Sequence, residues 1–407
     1  MDFAISEEYR MMQTTIRKLV DQDIRPRLAG LDPDAIELPE KDKHELRDKV
    51  KKLGMQAMGA PEKYGGGGVG LLGLCLAAEE LAKHRLGSYR PTLGAFCGHF
   101  AGEAPGNLLF CNAEQRERYL LPVIRLEKES CFALTEPDAG TDTANIRTSA
   151  VREGDHWILN GEKRFITGGD SADFAMVFAV TDKKLKAKGG ITCFLVDKGT
   201  PGFKVARLIP VIRPWYPAEL VFTDCVVPSQ NVLGEVGQGF EMIQAWLGQN
   251  RMLYSANVIG TADESLKLAV DYANVRQTFG QPLSSRQALQ WMIADSAVEL
   301  YAARLLVYAT AWKMENKVGG DLRMEVSMAK IFATEMVGRV VDRAIQVHGG
   351  MGVTKELPLE RWYRESRIKR IGEGTSEIHR QVISRGILRG FYHHNPFEKA
   401  GQGRKGE

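Results

Sequence analysis

The stretch HWILNGEKRFITGG, residues 156–169, decides how this chain is read. It mixes β-branched and aromatic residues and closes on a double glycine, the texture of a strand running into a turn. Similar short runs follow, FAMVFAV (174–180), GITCFLV (190–196) and ELVFTDCVV (219–227), each bounded by Gly, Asp or Pro. Residues 129–233 therefore read as a small antiparallel β domain. On either side the rhythm is different. In residues 2–125, apolar positions recur at helical spacing, as in YRMMQTTIRKLV (9–20) and LLGLCLAAEELAKH (71–84). Residues 238–389 return to long amphipathic runs, including ADSAVELYAARLLVYATAWKMEN (294–316) and MEVSMAKIFATEMVGRVVDRAIQVHGG (324–350), enough for four or five helices in a bundle. The expected class is α+β, mainly α: an N-terminal helical domain (1–126), a central β domain (127–235) and a C-terminal helical bundle (236–392). A polar, Gly-rich tail (393–407) is expected to be disordered.

Composition removes several functions. The chain has 407 residues, 44% hydrophobic and 26% charged, enough for a large buried core. Its net charge of +3, from 54 basic and 51 acidic residues, gives no case for a nucleic-acid or membrane surface. No segment reaches transmembrane length, and the acidic start MDFAISEEYR has neither a signal-peptide core nor an Arg-rich transit face. Six cysteines (Cys75, Cys97, Cys111, Cys131, Cys193, Cys225) lie far apart without a C-x-x-C pair and read as reduced core residues. A cytoplasmic location is expected.

YGGGGVGLLGL contains G-x-G-x-x-G at Gly65, Gly67 and Gly70. No buried parallel strand precedes it and no βαβ repeat follows, so it reads as a loop between helices, not a dinucleotide fingerprint. No H-E-x-x-H or Cys/His set has metal-ligand spacing, and no G-x-S-x-G elbow is present. No metal and no hydrolase nucleophile are expected.

Four segments carry more. CFALTEPDAGTD (131–142) runs from a strand into a turn with Thr135, Gly140 and Thr141. It reads equally as an Asx or Pro turn and as a set of exposed N–H groups suited to an electron-rich ring or phosphate edge. NGEKRFITGGDSADF (160–174) puts Phe165, Ile166 and Thr167 at a strand end, where an aromatic belongs to the core or lies on a planar ring. NVRQTFGQPLSSRQALQ (274–290) places Arg276 three residues before Phe279, a solvated helix-end Arg or a phosphate grip. AIQVHGGMGV (344–353) ends a helix on Gly349–Gly350, a stop or a place of close approach.

In this order and spacing the four segments resemble the flavin-dependent acyl-CoA dehydrogenase family over residues 2 to about 390. The resemblance implies FAD held between two subunits of a homotetramer. Phe132, Leu134, Thr135, Gly140, Thr141, Phe165, Ile166 and Thr167 would meet the flavin ring; Arg276, Phe279, Gln287, Gln346 and Gly350 would come from the neighbouring subunit to the adenosine and pyrophosphate end. Thr375 and Glu377 match further FAD positions. It also implies an acyl-CoA substrate and electron-transferring flavoprotein as the acceptor.

RESRIKRIGEGTSEIHRQ (364–381) holds Glu373 between two glycines. By resemblance Glu373 is the base that removes the α-proton of an acyl-CoA thioester while the β-hydride passes to flavin N5. The thioester oxygen would accept from the Glu373 backbone N–H and a ribityl hydroxyl, stabilising the enolate. Burial would raise the Glu373 pKa toward working pH. Some relatives carry the base immediately before an Arg matching Arg251; here that position is Asn250. Arg251 would support the cavity or the loop, with Thr141 and Gly374 also on the substrate. An Asp often stands three residues before that Arg, touching CoA; this chain has Gly248. HRLGSYRPTLGAF (84–96) resembles a glutaryl-CoA dehydrogenase stretch whose Arg binds a distal carboxylate, which makes Arg90 the matching residue. Decarboxylating relatives carry Tyr before the base; Gly372 here leaves room. A dicarboxylyl ester such as benzylsuccinyl-CoA or glutaryl-CoA is one substrate class. Straight- or branched-chain fatty acyl-CoA is the other. An oxidase or a non-redox acyl-CoA-binding relative is the alternative function.

Overall fold

A computed structural model describes residues 5–87, 105–318 and 320–390. Arg90, Cys97 and the tail from 393 lie outside the described residues. Two compact units form, and they do not follow chain order: 1–48, 69–93 and 248–407 make one, 49–68 and 94–247 the other.

The second unit is built on one sheet. Its strands are β1 (Ser130–Ala133), β2 (Ser149–Glu153), β3 (His156–Ile166), β4 (Phe174–Val180), β5 (Ile191–Asp197), β6 (Phe203–Leu208), β7 (Ala218–Pro228) and β8 (Val232–Leu233). They lie in the order β6-β7-β3-β2-β4-β5-β8, with β1 paired to β4. The sheet is mixed, where the sequence suggested antiparallel pairing throughout. β1 runs parallel to β4, and β2 meets β4 parallel at Ser149 and Val180, while the other pairs are antiparallel. The reason is the hairpin β2–β3, inserted between β1 and β4, which gives the chain the long crossover that parallel neighbours need.

β4 is buried on both faces. Phe174, Met176 and Phe178 enter one core with Tyr119, Leu120 and Met242; Ala175, Val177 and Ala179 enter a second with Trp157, Phe194 and Phe222. Side chains alternate across a strand, so a continuous apolar run is what two cores demand. The glycine run shows close packing, not phosphate chemistry. A Cβ on Gly66 would stand 2.2 Å from the Ala60 carbonyl oxygen, which is backbone and cannot swing away. Gly66→Ala should therefore lower stability by about 1–3 kcal/mol, read as a fall in Tm with no change in chemistry.

The other unit is helical. It contains α1 (Glu7–Leu19), α2 (Glu40–Lys52, of which all but the last four residues belong here) and α3 (Leu71–Leu81). It also holds most of α4 (Gly239–Val275), then α5 (Gln287–Glu315), α6 (Arg323–His348), α7 (Leu359–Lys369) and α8 (Ser376–Leu388). α6 packs on α5, α7 and α8, and α3 packs on α1 and α5. Along α6 the buried positions Val326, Ala329, Lys330, Ala333, Thr334, Val337, Val340, Val341 and Ala344 recur at three and four, one face of a helix. Lys330 is the exception in kind. Glu315 at the end of α5 accepts from the Leu72 N–H at 2.9 Å, so a carboxylate meets the N-terminus of α3. No helix among the described residues is long and apolar enough to cross a membrane.

Candidate active site

Glu373 lies in the turn between α7 and α8. Its φ is +58° and that of Gly374 is +95°. A left-handed Glu is strained, so its surroundings must impose the turn. They do so through two cations. Arg251 Nε donates to the Glu373 carbonyl at 2.9 Å, and Lys330 Nζ donates to the Gly374 carbonyl at 2.6 Å. His379 Nε2 lies 3.2 Å from the same Glu373 carbonyl, and its Cβ-free neighbour Gly374 is needed because a Cβ there would stand 3.0 Å from that ring nitrogen. Thr375 caps α8, its hydroxyl accepting from the Ile378 N–H.

The Glu373 carboxylate is engaged by the Asn250 side chain, next to Arg251 on α4, so consecutive residues grip both ends of Glu373. Burial raises the Glu373 pKa, opposed by Asn250 and by the charges of Arg251, Lys330 and Lys369. Burial also lowers Lys330 to about 8 and, with the two cations, holds His379 neutral near 3. A base must be ionised to act, so activity falls as pH falls through the Glu373 pKa. The acid limb of kcat/KM should therefore have its midpoint above the ordinary carboxylate value of 4.5.

Asn250, Tyr254, Lys330, Lys369 and His379 are contacts the sequence analysis missed; a Lys on the buried face of α6 was the visible signal. The space beside Gly372 was read as open. It is filled, because a Cβ there would stand 2.8 Å from the Tyr254 hydroxyl.

In the β unit the flavin candidates gather at one end of the sheet. Thr135 O accepts from the Arg164 N–H at 2.7 Å, which sets the first turn beside Phe165. Phe165 has φ +59° and is 51% exposed, while Ile166 is core, so only its backbone is open to a ligand. Phe132 stacks on Trp246 at 4.2 Å and Leu134 is buried beside it. Gly140 has open space around its missing Cβ, and Thr141 is exposed. Beneath the turn, Lys163 Nζ donates to Glu136 at 2.7 Å and to the Leu134 carbonyl at 3.0 Å. The Arg147 and Thr148 N–H groups fill the rest of the Glu136 carboxylate. Lys163 is 0% exposed; burial lowers it to about 8, while Glu136, despite its own burial, is held below the usual carboxylate range by this partner.

The second group of candidates sits on the helical unit. Arg276 immediately precedes a short hairpin (Gln277–Thr278 paired with Gln281–Pro282) and Phe279 lies in its turn, 97% exposed with φ +51°. Tyr272 on α4 stacks on His348 on α6 at 4.5 Å, which sets Arg276, Gln346 and Gly350 at the same end of the bundle. Gln287, Gln346 and Gly350 are exposed, as is Glu377 in the first turn of α8. A fully exposed aromatic beside an exposed Arg suits a ring and a phosphate, and the open turn at Gly140 beside Phe165 suits a planar group. The residues present therefore fit FAD.

The sequence matches the family models for the acyl-CoA dehydrogenase N-terminal domain (residues 6–127), middle domain (131–225) and C-terminal domain (237–388). It is 38% identical over 417 residues to (R)-benzylsuccinyl-CoA dehydrogenase of Thauera aromatica, covering 98% of this chain and 100% of that protein. The chain belongs to the acyl-CoA dehydrogenase family. Butyryl-CoA dehydrogenase from Megasphaera elsdenii has the same fold, with a TM-score of 0.84 at 33% identity, covering 96% of this chain and 100% of that one. A glutaryl-coenzyme A dehydrogenase in complex with glutaryl-CoA gives 0.85 at 30%, over 96% and 97%. Acyl-CoA dehydrogenases are FAD-dependent oxidoreductases acting on CH–CH bonds, and the chain shares their N-terminal helical, middle β and C-terminal helical organisation.

Proposed function

We infer that this acyl-CoA dehydrogenase opens its reaction at Glu373, on an acyl-CoA whose acyl chain carries a second carboxylate. The observation that supports the base is the Glu373 carboxyl itself: raised by burial, gripped by Asn250, and set on a strained loop by Arg251 and Lys330. The ionised carboxylate takes the α-proton, and the charge passes to the thioester oxygen. That oxygen accepts from the Glu373 N–H, with positive potential from Arg251 and Lys330 behind the loop. Bound FAD supplies the acceptor for the hydride that leaves Cβ. Phe132, Leu134, Thr135, Gly140, Thr141, Phe165, Ile166 and Thr167 would hold the ring end; Arg276, Phe279, Gln287, Gln346 and Gly350 of a neighbouring subunit would meet the adenosine and pyrophosphate end, with Thr375 and Glu377 at further FAD positions.

The substrate reading leans on Arg90 as the carboxylate-binding residue and on the 38% identity to a benzylsuccinyl-CoA dehydrogenase. The exposed Phe279, together with Trp291, Val298, Leu305 and Trp312 at seven-residue spacing on α5, favours a second copy of the chain against this unit. A homotetramer, electron-transferring flavoprotein as acceptor and a cytoplasmic setting complete the reading. Its test is anaerobic bleaching of the flavin by benzylsuccinyl-, glutaryl- and butyryl-CoA, with wild type and Arg90→Ala. Bleaching by the two dicarboxylyl esters, weakened selectively by the variant, is the expected result. Equal bleaching by butyryl-CoA would remove the dicarboxylyl claim and leave the base.

A further inference from the structure

A buried imidazole on α8 meets the turn of Glu373 from behind. His379 is 1% exposed, one turn into that helix. Its Nε2 lies 3.2 Å from the Glu373 carbonyl, the same oxygen that accepts from Arg251 Nε. A carbonyl oxygen only accepts, so Nε2 carries the hydrogen and Nδ1 is left as the acceptor of the ring. Nδ1 is buried and has no hydrogen-bond partner. An unfilled buried acceptor is a cost, and a leucine would occupy the position without it. What the imidazole supplies in return is one donated hydrogen, aimed at the backbone of the base.

That hydrogen has a use. Glu373 stands at φ +58°, a conformation a side chain adopts only when its surroundings hold it there. With φ held, the direction of the carbonyl sets the direction of the Cα–Cβ bond, and so the point from which the carboxylate reaches out. Three side chains hold the two carbonyls of the turn, and two of them, Arg251 from α4 and Lys330 from α6, are cations. Both charges lower the Glu373 pKa, as does that of Lys369 on α7, which weakens the carboxylate as a base. Glu335 on α6 and Glu377 on α8 act on Lys330. The third donor differs. Burial, with Arg251 and Lys330 nearby, lowers His379 to about 3, so it is neutral wherever Glu373, raised above 4.5, can act. We propose that His379 is a positioning residue for proton abstraction, a neutral donor that fixes the Glu373 carbonyl, and through it the carboxylate, without adding another cation beside the base. The proposal rests on the reading of Glu373 as the base and names the residue that aims it.

The test compares FAD-loaded wild type, His379→Leu and His379→Gln at equal flavin content, using benzylsuccinyl-CoA or butyryl-CoA, whichever bleaches the wild type faster. Steady-state kcat and KM, the acid limb of kcat/KM and Tm are measured for each protein. His379→Leu keeps the volume and removes the donor. It should lower kcat roughly 10-fold, the size of one neutral hydrogen bond lost, with little change in KM. His379→Gln offers an amide N–H and no charge, so it should recover most of that loss and keep the acid limb where the wild type has it. An acid limb moved to higher pH in His379→Gln would mean that the imidazole acts as a cation, and would overturn the proposal. Wild-type kcat in His379→Leu would overturn it too, as would equal losses in both variants with Tm lowered alike, the mark of packing alone. Should His379→Leu fail to fold, the kcat and acid limb of His379→Gln decide. Wild-type protein that no acyl-CoA bleaches, or full activity in Glu373→Gln, would instead overturn the reading beneath it.

Discussion

Glu373→Gln should lower kcat by about 10⁴-fold, the upper end of what a positioned general base contributes. Stability should not fall with it. The folded-state pKa of Glu373 is raised above its unfolded value, so the neutral form is favoured in the fold. The stability linked to this group is present at low pH and is lost as pH rises through the folded pKa. Once ionised, the buried carboxylate is therefore a cost, and a neutral isostere that still pairs with the Asn250 side chain relieves it. Steady-state turnover together with Tm separates the two effects. A variant that lost activity and stability together would mean that Glu373 is chiefly structural.

Lys163→Met should be the most damaging change in the β unit. It removes the ammonium from a fully buried pair and leaves the Glu136 carboxylate with only the Arg147 and Thr148 N–H groups. Breaking such a pair from one side costs about 3–5 kcal/mol. The loss falls beneath the turn that carries Thr135 and Gly140, so weaker retention of FAD should accompany the lower Tm. The double variant Lys163→Met with Glu136→Gln should recover part of the stability, because no unpaired charge then remains. If the single variant keeps both its Tm and its flavin, the pair is not what holds this turn.

Much of the architecture could be read directly. Strand texture between 129 and 233 and helical periodicity on both sides gave the α+β organisation, whereas the burial of β4 on both faces was seen only in the structure. The parallel pairing of β1 with β4 was not legible, because strand direction is set by where the β2–β3 hairpin is inserted and no local pattern records that. The glycine run was correctly read as a loop, yet its physical reason, the backbone of Ala60 pressed on Gly66, exists only in three dimensions.

For the site, the turn carrying Glu373 was visible in its two glycines, whereas its supports were not. Lys330 and Lys163 stand where helical and strand periodicity respectively put core residues, and a charge at such a position was the one available signal. Tyr254 and Asn250 gave none. Their relation to Glu373 joins residues more than a hundred positions apart, and the space at Gly372 looked empty only because its occupant comes from another helix.

The most direct test is anaerobic mixing of FAD-loaded wild type and Glu373→Gln with one acyl-CoA ester, either unlabelled or carrying deuterium at Cα. The account predicts that wild-type flavin bleaches, several-fold more slowly with the labelled ester, and that the variant's flavin, present in equal amount, does not bleach on the same time scale. Equal bleaching of both proteins would place the base elsewhere and contradict the account.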